Sequence, residues 1–152
     1  MEDPNAKKQQ IIGILRDKSV LKQKVFDNTF ASFCNVKDIL KLLSRDVNSS
    51  LGNIDPRIRL EYTDRSSFDA QIKVAGDILL FSMHSNIFQF DREHPAWKTP
   101  YIQKNKYNAY SGIINIYNFL ADSFRYSRLD DLGYLIARIF INHENQYWRV
   151  WS

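Results

Sequence analysis

The chain has 152 residues, 44% hydrophobic and 25% charged, a balance that fits a folded globular protein and excludes a disordered chain. Its 21 basic and 17 acidic residues leave a net charge of +4 that is spread along the sequence: 9 basic against 7 acidic up to residue 56, 6 against 6 from 57 to 100, and 6 against 4 beyond. No stretch forms a basic arm, and the lone cysteine, Cys34, excludes a disulfide framework and a multi-cysteine zinc site.

The first residues, MEDPNAKKQQ, lack the apolar core of a secretory leader. No apolar run approaches the length of a membrane span, so no membrane partner is expected and the expected location is cytoplasmic. The length suits one domain over residues 1–152. The spacing predicts a helical layer over 1–50, then an antiparallel sheet over 57–151 with a long loop at 91–112.

Ile11, Ile14 or Leu15, Leu21 and Val25 recur near a 3.6-residue period, which predicts a first helix from about Asn5 to Phe26. Gly13 and Ser19 interrupt that pattern. A second helix is expected after Asn35, an N-cap residue with Asp38 three positions on. Its apolar face reads Val36, Ile39, Leu40, Leu43 and Val47. Asn48, two serines and Gly52 stop it, and Asp55-Pro56 marks a turn.

The period then changes to two. Ile58, Leu60 and Tyr62 alternate with charged residues, DRSS reads as a turn, and FDAQIKV alternates again. Ala75-Gly76-Asp77 predicts a tight turn before ILLFSMH, an apolar and central strand. IFQFD follows as a fourth. GIINIYNFLADSFRY fits both helix and strand, and its density of Ile, Tyr and Phe favours strand. LGYLIARIFINHENQYWRV reads as a hairpin around Asn142–Asn145, its last strand at a sheet edge. The predicted fold is α+β: N-terminal helices packed on a mainly antiparallel sheet of about six or seven strands. Leu40, Leu43, Ile72, Leu80 and Ile139 are expected to share one core.

The 91–110 segment is longer than an ordinary connection, and such loops are commonly functional. Trp97, two prolines, Tyr101 and Ile102 predict that it is ordered, folds back over the sheet and buries Trp97 in part. Trp97, Lys98, Tyr101, Lys104, Lys106, Tyr107 and Tyr110 interleave rings with lysines, the combination that stacks unpaired bases and neutralises phosphates. They are the candidate ligand- or partner-binding residues, with the lysines in solvent. His84, Asp91, Glu93 and His94 are weaker candidates for a divalent metal or for proton transfer; the plainer explanation is a polar loop in which Arg92 pairs with its acidic neighbours.

Lys7, Lys8, Arg16, Lys18, Lys22 and Lys24 read as a solvated helix face. His143 and Glu144 read as ordinary turn residues, and Cys34 as a small core residue. No glycine-rich phosphate loop, GxSxG elbow or kinase set occurs, no cofactor is implied, and the reading leans away from catalysis. The expected function is a noncatalytic binding or regulatory module for a small molecule or a protein. The alternatives are a nucleic-acid-binding protein using 97–110 and, third, a metal-dependent enzyme. An edge strand also offers a route to a homo-oligomer.

Overall fold

A computed structural model describes residues 3–53, 55–120 and 133–151. Helix α1 (Pro4–Ile14) and helix α2 (Val20–Leu51) are joined without a break by a π-helical turn at Leu15–Ser19. Asp3 starts the helix: its carboxylate accepts from the Asn5 amide at 3.1 Å, and Pro4 stands where a missing N–H costs nothing. Gly52, at φ 64°, ends it in the left-handed region that glycine enters most cheaply.

The expected break between two helices is therefore absent. Ser19 makes no side-chain cap, and Asn35 and Asp38 lie on the exposed side of α2. The π turn takes up an extra residue, so the helix continues through the interruption.

Among the described residues seven strands form one antiparallel sheet: β1 (Glu61–Ser66), β2 (Asp69–Val74), β3 (Asp77–Met83), β4 (Phe88–Gln89), β5 (Tyr110–Leu120), β6 (Tyr134–Ile141) and β7 (Tyr147–Trp151). The order is β1-β2-β3-β5-β6-β7, and short β4 pairs with the start of β5. The chain is thus α+β with an antiparallel sheet, as its changing period implies.

The segment at Ile58 is a 3-10 turn (Pro56–Ile58), and β1 runs on through the stretch expected to turn, bulging between Asp64 and Ser66. Asn48 positions this strand by exchanging two 2.8 Å hydrogen bonds with the backbone of Leu60. Residues 113–120 belong to a strand, the favoured choice, while 121–126 lie outside the described residues.

One sheet face packs on α2. Directly opposed residues share a face, so the pairs Tyr62–Ile72, Ala70–Phe81 and Ile114–Ile139 define the helix side. Phe33, Ala70, Met83, Ile114 and Ile141 form its centre, with Phe26, Phe30 and Phe68 packed around them. A Phe, Met or Ile side chain fully removed from water contributes roughly 1.5–3 kcal/mol.

The helix buries Val25, Thr29, Phe33, Lys37, Leu40 and Ser44, not the expected face. Of the expected set only Leu40 is fully buried; Ile39 remains 62% exposed and Leu43 48%. Close approach selects the stripe. A Cβ on Gly112 would lie 2.1 Å from the Thr29 hydroxyl, so helix and strand meet where both residues are small. Thr29 and Ser44 satisfy their hydroxyls on their own helix, bonding the carbonyls of Val25 and Leu40. Lys37 is buried because its amine is doubly paired, with Asp64 at 2.7 Å and the Ser66 carbonyl at 2.6 Å.

The expected five-residue core divides for the same reason. Leu40 and Ile72 are buried and Ile139 packs on the helix-side core, but Leu43 faces outward. Ile72 opposes Leu79, which sends Leu80 to the other face.

Candidate functional site

The long loop covers part of that second face. It folds as a 3-10 turn (Pro95–Lys98), a short helix α3 (Pro100–Lys104) and a second 3-10 turn (Lys106–Ala109). Each turn begins at an extended residue, and His94 and Asn105 accept backbone hydrogen bonds as caps. Phe90, Ala96, Ile102 and Ala109 form a second small core with Trp97, Tyr101, Phe140 and Trp148. The loop thereby docks on β6 and β7.

The seven candidate residues separate into two groups. Trp97 and Tyr101 turn inward. The Trp97 indole N–H donates to the Phe90 carbonyl at 2.9 Å, and Tyr101 packs 6.0 Å from Trp148 between ring centroids. Lys98, Lys104 and Lys106 point to solvent, Tyr107 is exposed and Tyr110 half-buried. Tyr107 and Tyr110 lie 6.4 Å apart, tilted by 46°. Tyr107 closes a groove with Gln10, Gly13, Ile14, Asp17 and Lys18 of the helix, and the Lys22 amine stands 5.9 Å from the centre of the Tyr110 ring.

The weaker set is used locally. His84 Nδ1 accepts from the Asn86 amide at 3.1 Å, and its ring meets Phe88 edge-on. His94 Nδ1 accepts from the Ala96 amide at 3.0 Å while its ring stacks on Phe90. Arg92 lies over the Trp97 ring at 4.9 Å. Among the described residues no three His, Cys, Asp or Glu side chains come together in a way that could hold a metal ion. Cys34 borders a cleft with Lys37, Asp38, Lys41, Asp64 and Ser66, but the Lys37 amine there is committed to Asp64 and Ser66.

The polar centre of this end of the molecule is Asn142, fully buried at the mouth of the β6–β7 hairpin. Its side-chain Oδ1 accepts from the backbone amides of Glu144 and Gln146, both at 3.0 Å. Its side-chain Nδ2 donates to the Tyr101 hydroxyl at 3.0 Å and the Asn108 backbone carbonyl at 3.3 Å. Asn108 donates to the Tyr101 carbonyl, which leaves its own Oδ1 to accept from His143 Nε2 at 2.7 Å. That sequence of donors places the His143 proton on Nε2. Asn28 of the helix closes the set by donating to the carbonyls of Asn142 and His143. Burial pushes the Tyr101 hydroxyl above the ordinary tyrosine pKa, against the opposing effect of the Asn142 hydrogen bond.

Asn28, Asn108, Asn142 and His143 were invisible as a group in the sequence. Their separations exceed 30 residues across the key contacts, and asparagine in a turn is ordinary. The Asn142–Asn145 run was read only as the turn of a hairpin.

A further open surface lies on the helix side. Helix α2 packs on β1, β2, β3, β5 and β6, and among the described residues an open groove remains between it and the β6–β7 hairpin. There Val36 and Ser32 face Ile139, Ile141, Tyr147 and Arg149 across an open groove of about 210 Å³. Ile39 and Leu43 of α2 and Trp151 of β7 are further exposed apolar residues. No protein-family model, curated protein or solved structure matches this chain. Among the described residues no helix is long and apolar enough to cross a membrane.

Proposed function

We propose that this chain is a noncatalytic protein-interaction module that receives an extended segment of a partner along β7 and the groove beside it. The carrying observation is the uncovered apolar surface: Tyr147 is 63% exposed and Trp151 67%, next to the Val36–Ile139 groove. Exposed apolar surface of this kind marks interaction sites.

The two sheet edges support the reading by their difference. Edge strand β1 carries Glu61, Asp64 and Arg65 and bulges, the usual defences against unwanted pairing. Strand β7 carries Arg149 as its only charge, between aromatic residues, in a register with β6 that has no bulge. An added strand would pair with the β7 backbone edge, which is unpaired among the described residues, while alternate side chains enter the groove. The inward-facing Trp97 and Tyr101 then serve as the support of β6–β7 from behind.

Selection of displayed random peptides on the immobilised protein tests this. Extended peptides with alternating apolar residues should be enriched, and Tyr147→Lys with Leu43→Lys should weaken their binding at least about tenfold, since two apolar contacts are lost. Equal enrichment on the parent and the double variant would refute the proposal.

A further inference from the structure

We infer that the cleft between the N-terminal part of the helix and the 97–110 loop binds single-stranded nucleic acid. This surface is separate from the β6–β7 groove and does not depend on its role.

Charge is the first reason. Residues 4–24 hold Lys7, Lys8, Arg16, Lys18, Lys22 and Lys24 against Asp17 alone, a net +5. Residues 97–110 hold Lys98, Lys104 and Lys106 and no acid, a net +3. Together they carry +8, while the whole chain carries +4, so the remaining residues carry −4. The linear sequence conceals this division because acidic residues follow each basic stretch. The fold exposes it by laying Tyr107 against Gln10, Ile14 and Lys18, and Tyr110 under Lys22. Lys18, Lys22, Lys98, Lys104 and Lys106 are all exposed, and among the described residues none of the five is in an ion pair.

The rings are the second reason. Lysines alone would suit any polyanion, but Tyr107 and Tyr110 put two aromatic rings beside Lys18 and Lys22. Bases in a single strand have free faces to stack on such rings; those in a duplex do not. The site is also concave and built from two elements, with Ile14 inside the cleft. A strand can thread a cleft of this kind, whereas a flat lipid surface would reach only its rim. Asp17 is the one acid in the lining, and it disfavours phosphate at that point, so the inferred backbone path starts from Lys18 and Lys22 and takes exposed Lys104 and Lys106 of the facing loop as its further phosphate contacts.

The test uses fluorescence anisotropy with a labelled oligothymidylate of about 12 nucleotides, within the span of single-strand sites. The parent should bind it, and affinity should fall roughly 50-fold between about 50 and 200 mM salt for four neutralised phosphates. Tyr107→Ala should weaken binding about tenfold with an unchanged melting temperature. The quadruple variant Lys18→Glu, Lys22→Glu, Lys104→Glu, Lys106→Glu should abolish it. Three results would overturn the inference: no binding at low salt, a duplex of equal length bound as tightly with Tyr107→Ala having no effect, or anionic phospholipid vesicles bound while the oligonucleotide is not.

Discussion

Gly112 shows how one residue sets the distance between two layers. It lies in β5 opposite Ile141, directly under Thr29. A methyl group there would stand 2.7 Å from Thr29 Cβ as well as 2.1 Å from its hydroxyl, and a short branched side chain cannot swing away. Gly112→Ala should therefore destabilise the fold by roughly 1–3 kcal/mol, the usual cost of overpacking. The double variant Thr29→Gly with Gly112→Ala should be more stable than the sum of its single changes, because the clash is removed. Urea titrations of the four proteins check both statements; simple additivity would mean that the contact is not the cause. This glycine was present in the sequence without any sign of its neighbour, since the two lie more than 80 positions apart.

At the scale of elements, the long helix has two unequal halves. Neither α1 nor the π turn buries a side chain, whereas α2 buries six from Val25 to Ser44. A helix of that size without tertiary packing is marginal in water. Amides of residues 5–19 should then exchange with deuterium at least about 100-fold faster than those of 25–45. Equal protection in native-state exchange would show that the first half is held by contacts as extensive as those of the second. Binding of an anionic strand across Tyr107 and Lys18 should slow exchange in the first half. The 91–110 loop is the converse case: short helical turns, buried Ile102 and the Asn142 network give it the support that α1 lacks.

The molecule as a whole responds to pH through hydroxyls that its layers enclose. Burial is the main cause that raises the pKa of both Tyr62 and Tyr101, with Asp64 and Asp38 adding to it at Tyr62. A raised value means that the folded protein keeps these protons after the unfolded chain has lost them. The associated stability is complete below the unfolded value of about 10 and is lost as pH rises through the folded values. The urea midpoint should hold steady up to about pH 9 and decline above about pH 10, and Tyr101→Phe should make that decline shallower. An unchanged slope in the variant would remove Tyr101 from the cause.

The α+β class, the antiparallel pairing and most of the strands were legible because each depends on local period and turn chemistry. The two-residue Ala75–Gly76 hairpin is one instance: its register, Val74 with Asp77, follows from the turn alone. An ordered loop with Trp97 half-buried was legible too, from its prolines and rings. Local reading failed where distant residues chose the outcome. Ile39 and Leu43 belong to an apolar helix face, yet Thr29, Lys37 and Ser44 occupy the contact because Gly112, Asp64 and Ser66 meet them there. The candidate loop divides into supporting rings and a solvent-facing basic set for the same kind of reason. Trp97 and Tyr101 found partners in Phe90 and Trp148, and Tyr107 and Tyr110 found the helix. Composition and period are properties of neighbouring residues, so the sequence by itself determined the α+β class and most of the strands; the helix face that packs, the close approach of the layers and the gathering of like charges arise between residues far apart, and only the tertiary structure decided them.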